Sequence, residues 1–188
     1  MDYRNELKEY LDREIEVIKS LDLDSINEVM NALEEAKAKH KTTYICGNGG
    51  SAATASHFVC DFNKGLNDEA SQFKFHCLSD NTPIMMAISN DIGYDEVFRY
   101  QIKGRIEEGD ILFGISGSGN SVNVINAMEH AKSVGAKTIA LVGYDGGKMK
   151  QIADYCIHVN VNDMQISEDV HMIMDHLMMH VLSRGESC

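Results

Sequence analysis

The chain has 188 residues, 44% of them hydrophobic and 24% charged, which suits one soluble globular domain over residues 1–188. Its net charge of −12 argues against a nucleic-acid or anionic-membrane surface, since phosphate backbones are bound by basic patches. No apolar run approaches the roughly 20 residues of a membrane span, and the polar start Met1-Asp2-Tyr3-Arg4-Asn5-Glu6 carries no secretory signal, so a cytoplasmic protein is expected.

Two helices are predicted first, over residues 3–20 and 24–40. Leu7, Leu11, Ile15 and Ile18 recur at helical spacing in the first, and Ile26, Val29, Met30 and Leu33 in the second, with Asp24 or Ser25 as N-cap. The apolar run Thr43–Cys46 then enters a loop, Gly47-Asn48-Gly49-Gly50-Ser51-Ala52, followed by a helix from Ala53 to Phe62. No Gly-Lys-Ser/Thr follows the glycines, so this is not a Walker A loop. Gly47, Gly49 and Ala52 match the loose dinucleotide pattern GxGxxA, but its acidic partner would be Asp80, beyond the second strand and late.

Four more strands are predicted, at 73–77, 111–115, 138–142 and 156–159, with helical patterns between most of them and Pro83 as the only proline. Strands joined by helical crossovers imply an α/β fold, a doubly wound five-stranded parallel sheet preceded by the N-terminal helix pair. Ligands of such sheets bind at the carboxyl ends of the strands. The cysteines at 46, 60, 77, 156 and 188 are scattered and odd in number, and read as reduced thiols of a cytosolic protein.

The third strand runs into Ser116-Gly117-Ser118-Gly119-Asn120-Ser121, which opens a helix from Val122 to Val134. Unpaired N–H groups and the helix dipole make that junction an anion trap, and its serine hydroxyls can donate to phosphate oxygens. A second loop of this kind suits a small phosphosugar better than a long dinucleotide. His57 and Asp61 share a helix face at i, i+4, while Glu168 and His176 lie two turns apart on the last helix, about 80° apart in projection. The four could close on a divalent metal of the zinc type or supply a carboxylate and an imidazole for proton transfer. Plainer readings exist. The loop could simply cap a helix, Asp61 could solvate a surface, Glu168 suits a helix first turn, and a histidine among apolar neighbours is more often structural.

Gly47-Asn48-Gly49-Gly50-Ser51 with His57-Phe58, Asn90-Asp91, Gly114-Ile115-Ser116-x-Ser118-Gly119-Asn120-Ser121-x-Asn123-Val124, Tyr144-Asp145-Gly146-Gly147 and Glu168-Asp169-Val170-His171 occur in this order. Together they resemble the sugar isomerase (SIS) fold, which is flavodoxin-like, and within it the phosphoheptose isomerases of bacterial heptose biosynthesis. The resemblance runs over nearly the whole chain. It implies a homotetramer with residues 1–40 helping to form active sites between subunits. It implies a sugar phosphate held by Ser51, Ser116, Ser118 and Ser121, with Asn48, Gly49, Gly50, Asn90 and Asp91 around the sugar. It also implies zinc on His57, Asp61, Glu168 and His176.

Several positions depart from the family pattern: Asp61 stands where a glutamate is usual, Glu168 for a glutamine, Gly117 for a threonine, and Gly65, beside Lys64, for an arginine. The reaction expected is aldose–ketose isomerisation through a cis-enediol, with Asp61 and His176 as catalytic residues and Asp61, Gly117 and Glu168 also lining the substrate. Alternatives within the resemblance are an isomerase for another ketose phosphate and a non-catalytic tetrameric adaptor of a replication initiator. Relatives of the adaptor type lack the carboxylate and histidine that this chain keeps as Asp61 and His176.

Overall fold

The strands are β1 (Thr43–Cys46), β2 (Phe75–Cys77), β3 (Ile111–Ser116), β4 (Lys137–Val142) and β5 (Tyr155–His158). In this computed structural model, which describes residues 1–66 and 72–185, they form one parallel sheet in the order β2-β1-β3-β4-β5. That is the expected doubly wound topology, and its strand order reverses between β1 and β3. Cys46 of β1 is in register with Gly114 of β3, and Ser116 with Val142 of β4, so both glycine-rich loops leave the same edge of the sheet.

Side chains alternate along each strand and feed two cores. Ile111, Phe113 and Ile115 join Ile45, Leu141 and Ile157 on one face, covered by α2 (Leu23–Ala38), α3 (Gly50–Cys60) and α8 (Met164–Gly185). Leu112, Ala140 and Val142 face the other way, beneath α4 (Thr82–Asp91), α5 (Arg99–Ile102), α6 (Val122–Ser133) and α7 (Gly147–Ile152). Burial on both faces is why β3 and β4 read as continuous apolar runs.

α1 (Arg4–Lys19) stands apart: none of its residues is buried, and Leu7, Leu11 and Ile15 are 61%, 55% and 48% exposed. Tyr10 donates a hydrogen bond to the Asp169 carboxylate and Arg13 pairs with Asp163 at 3.2 Å, tying α1 to α8 and to the residue just before it.

Some boundaries differ from the sequence reading. The cap of α2 is Asp22, not Asp24 or Ser25; its carboxylate accepts the backbone N–H groups of Asp24 and Ser25 at 3.0 and 3.3 Å. α3 begins at Gly50, three residues before Ala53, because Gly49 turns the chain at φ +55° directly into the helix. It ends at Cys60, and Asp61 opens a π-helical turn, Asp61–Gly65. β2 starts at Phe75, two residues later than expected. Cys46, Cys60, Cys77 and Cys156 are free thiols, and Cys188 lies outside the described residues. No helix among the described residues is long and apolar enough to cross a membrane.

Candidate active site

The β1–α3 and β3–α6 loops flank the point where the strand order reverses, where open α/β sheets bind ligands. An amide pair joins them. Asn48 Nδ2 donates to Asn123 Oδ1 and Asn123 Nδ2 donates to Asn48 Oδ1, both at 2.9 Å. Asn123 Oδ1 also accepts the backbone N–H of Val124, and Asn48 Oδ1 accepts the Tyr94 hydroxyl at 2.7 Å. Asn48 is therefore fixed at the start of the first loop by the first turn of α6.

The β3–α6 loop keeps its hydroxyls together. Ser116 Oγ lies 3.0 Å from Ser121 Oγ and accepts the Gly119 N–H at 3.2 Å, while Ser118 Oγ accepts the Asn120 N–H at 3.2 Å. Ser121 is the N-cap of α6, yet its hydroxyl makes no capping bond and turns to Ser116 instead. The loop is braced from the β4–α7 side: Gly117 O accepts from Gly143 N at 2.8 Å and Gly119 O from Met149 N at 2.9 Å. At Gly117, where the family pattern has threonine, a β-carbon would sit 2.5 Å from Met164 Sδ, so Met164 fills that space. Ser51 is buried in the first turn of α3, whose N-cap is Gly49.

Below the loops, α3 and α8 bring His57, Asp61, Asp175 and His176 together, with one ligand atom from each within 4.8 Å of the others. His57 Nε2 lies 3.1 Å from His176 Nε2, 3.6 Å from Asp61 Oδ2 and 3.9 Å from Asp175 Oδ2. A zinc-sized ion with ligands at about 2.0–2.2 Å in a tetrahedron needs them about 3.3–3.6 Å apart. Two imidazoles and two carboxylates near that spacing fit a divalent cation. Asp175 is fully buried, with no hydrogen-bond partner for either carboxylate oxygen. Burial, and then the charge of Asp61, push its pKa up to about 7.

Three of the four metal-site residues expected from sequence thus meet here: His57, Asp61 and His176. Glu168 lies elsewhere; a β-carbon on Gly50 would be 2.5 Å from Glu168 Oε2, so its carboxylate rests on the first turn of α3. Asn90 and Asp91 end α4, exposed, and bond to one another at 2.7 Å. Tyr94, three residues on, is the side chain from this segment that reaches Asn48. Asp175, Asn123 and Tyr94 were not among the residues singled out for the site. Asp175 did leave a mark in the sequence, as an acidic residue in the apolar run Met172-Ile173-Met174 before His176.

The SIS domain family model matches residues 2–143. A phosphoheptose isomerase of Helicobacter pylori (strain Shi470) is 37% identical over 177 residues, covering 94% of this chain and 90% of the relative. Among solved structures, the phosphoheptose isomerase from Neisseria gonorrhoeae superposes with a TM-score of 0.88 at 29% identity, over 96% of this chain and 98% of that one. A phosphoheptose isomerase from Francisella tularensis gives 0.87 at 25% identity, over 98% of this chain and 100% of that one.

Proposed function

The chain belongs to the phosphoheptose isomerase family of SIS-domain proteins, and we propose that it interconverts a ketose phosphate and its aldose, with sedoheptulose 7-phosphate and D-glycero-D-manno-heptose 7-phosphate as the pair. One observation carries the reading: an anion-binding loop and a carboxylate–imidazole cluster are reached from the same edge of the sheet, one through α6 and the other through α3. His57 lies seven residues along α3 from Gly50, about 10 Å at 1.5 Å per residue. That span is comparable to an extended seven-carbon sugar phosphate, so the phosphate can be anchored while C1 and C2 lie at the cluster.

In this reading Ser51, Ser116, Ser118 and Ser121 donate to the phosphate, and the α6 dipole adds to them. Asn48, the backbone of Gly49 and Gly50, and Asn90, Asp91 and Glu168 hold the sugar hydroxyls, while Gly117 leaves its neighbour Met164 against the substrate. Anchoring so far from the reacting carbons orients them and supplies binding energy for the proton transfer. Asp61 takes a proton from C1 of the ketose and returns it to C2 of the cis-enediol. His176 moves the accompanying proton between the oxygens on C1 and C2.

His57, Asp61 and His176 would alternatively hold zinc, and the two roles compete, because a ring nitrogen given to the ion cannot move a proton. When bound, the cation would polarise the substrate carbonyl and offset the charge that develops on the enediolate. The exposed Leu7, Leu11 and Ile15 stripe of α1 supports its use between copies of the chain in a homotetramer.

The test is a substrate panel. Sedoheptulose 7-phosphate should yield an aldoheptose 7-phosphate, and Asp61→Asn or His176→Gln should lower kcat at least about 100-fold. Turnover of a pentulose or hexulose phosphate alone would keep the isomerase and change its sugar. No turnover of any ketose phosphate would overturn the reading.

A further inference from the structure

We propose that the fourth ligand of the cation site is Asp175, and that Glu168 is not a ligand. The inference rests on the reading above only in expecting a divalent cation between α3 and α8.

A carboxylate in a protein interior is stable only when something satisfies its oxygens. Asp175 has 0% exposure, and both of its oxygens lack a hydrogen-bond partner. Its neighbours are two imidazoles and a second carboxylate, with Oδ2 3.9 Å from His57 Nε2. A second ionised carboxylate repels it, and the His57 ring nitrogen is too far for a hydrogen bond. A divalent cation can satisfy it, because it would coordinate Asp175 and Asp61 together while the two neutral imidazoles complete the set. Two aspartates also bring two negative charges to a doubly charged ion, so the buried group would be close to neutral once filled.

The geometry of α8 excludes the competing assignment in this structure. Glu168 and Asp175 are seven residues apart, about 10 Å along the helix axis. Asp175 and His176 sit on the turn that faces His57 and Asp61, whereas the Glu168 carboxylate has folded back over Gly50. The shortened carboxylate at position 61 and the buried one at 175 belong to one arrangement, in which α3 with the π-helical turn after it contributes one histidine and one aspartate, and α8 the other two.

The probe is Zn²⁺ added to the purified full-length chain after chelation, with affinity read by competition against a chromophoric chelator and stoichiometry by elemental analysis. The native chain should bind one Zn²⁺, Asp175→Asn should weaken binding at least about 100-fold, and Glu168→Gln should change it less than about threefold. Thermal unfolding gives a second readout of opposite sign. Without metal, Asp175→Asn should unfold at a higher temperature than the native chain, since a buried carboxylate without a hydrogen bond has gone. With excess Zn²⁺ the order should reverse. Native affinity in Asp175→Asn, a loss in Glu168→Gln as large as in Asp175→Asn, or no Zn²⁺ bound by the native chain would each overturn the proposal. Isomerase activity is measured on the same samples: zinc bound through Asp175 without turnover would sink the proposed function and leave the ligand assignment standing, and turnover with no zinc bound would do the reverse.

Discussion

Replacing Gly119 by alanine should damage both the fold and the phosphate end of the site. Gly119 has φ +65°, where an alanine costs about 1–2 kcal/mol relative to glycine. Its β-carbon would lie 2.0 Å from Gly146 O, 2.5 Å from Gly146 C and 3.0 Å from Gly147 N. All three are backbone atoms, so no side chain can swing aside, and the β3–α6 and β4–α7 loops must separate by more than 1 Å to reach ordinary contact. Separation breaks the Met149 N–H bond to Gly119 O at 2.9 Å and the Lys148 N–H bond to Asn120 Oδ1 at 3.0 Å, each about 1 kcal/mol. The sum is about 3–4 kcal/mol, a large share of the 5–15 kcal/mol typical of a domain.

The assay is urea unfolding followed by far-UV circular dichroism, with Gly104→Ala as reference. Gly104 has φ +73° and nothing within 4 Å of the added β-carbon, so it isolates the backbone cost of about 1–2 kcal/mol. Gly119→Ala should lose at least about 2 kcal/mol more than this reference. It should also raise KM for the sugar phosphate about tenfold or more, with kcat less affected, since Ser116, Ser118 and Ser121 hang on the displaced loop. Equal losses at the two glycines, with an unchanged KM, would refute the reasoning.

Two further substitutions test the frame around the site. Asn123→Asp keeps the shape but sets an oxygen against Asn48 Oδ1 in place of a donor, so kcat/KM should fall about 10- to 100-fold as Asn48 turns away; native kinetics would show that Asn48 is held by other means. His171 is fully buried on α8, and burial pushes its pKa down from 6.5 to about 4. The unfolded chain therefore binds the extra proton first, and this contribution is complete above about pH 6.5 and lost as pH falls towards 4. Relative to His171→Leu, the native chain should lose about 2–3 kcal/mol of stability between pH 7 and 4.5, and parallel stability curves would contradict the assignment.

Much of the fold was legible because it is written in burial. β3 from Ile111 to Ile115 and β4 from Ile139 to Val142 are apolar since both their faces are covered, and the two glycine-rich loops follow where β1 and β3 end. The boundaries that slipped are set by single polar contacts. Asp22 and Asp24 are both acceptable caps by residue type, and only the backbone angle of Asp22, extended at ψ 101°, makes it the cap. The π-helical turn at Asp61–Gly65 has no counterpart in hydrophobic spacing, because a single five-residue turn at a helix end is too short to show a period. His57, Asp61 and His176 were found by helix spacing, which needs only one helix at a time. Whether Glu168 or Asp175 joins them depends on how α8 is rotated and slid against α3, and that is decided by packing across the core.

The division of charge across the site follows from this packing. The loop Ser116-Gly117-Ser118-Gly119-Asn120-Ser121 contains no lysine or arginine, in a chain of net charge −12. Its anion-binding capacity comes from hydroxyls, backbone N–H groups and a helix dipole, none of which titrates near neutrality. Neutral donors need no buried counter-charge, so this end of the site can sit beside the buried carboxyl ends of β3 and β4. The ionisable groups are gathered instead between α3 and α8, where His57 and His176 remain partly open and Asp175 is sealed behind them. In the proposed function, grip on the phosphate and proton chemistry at the far carbons therefore rest on different elements. On that proposal, a change of pH or metal at the α3–α8 cluster should alter kcat first, while a change in the β3–α6 loop should alter KM first.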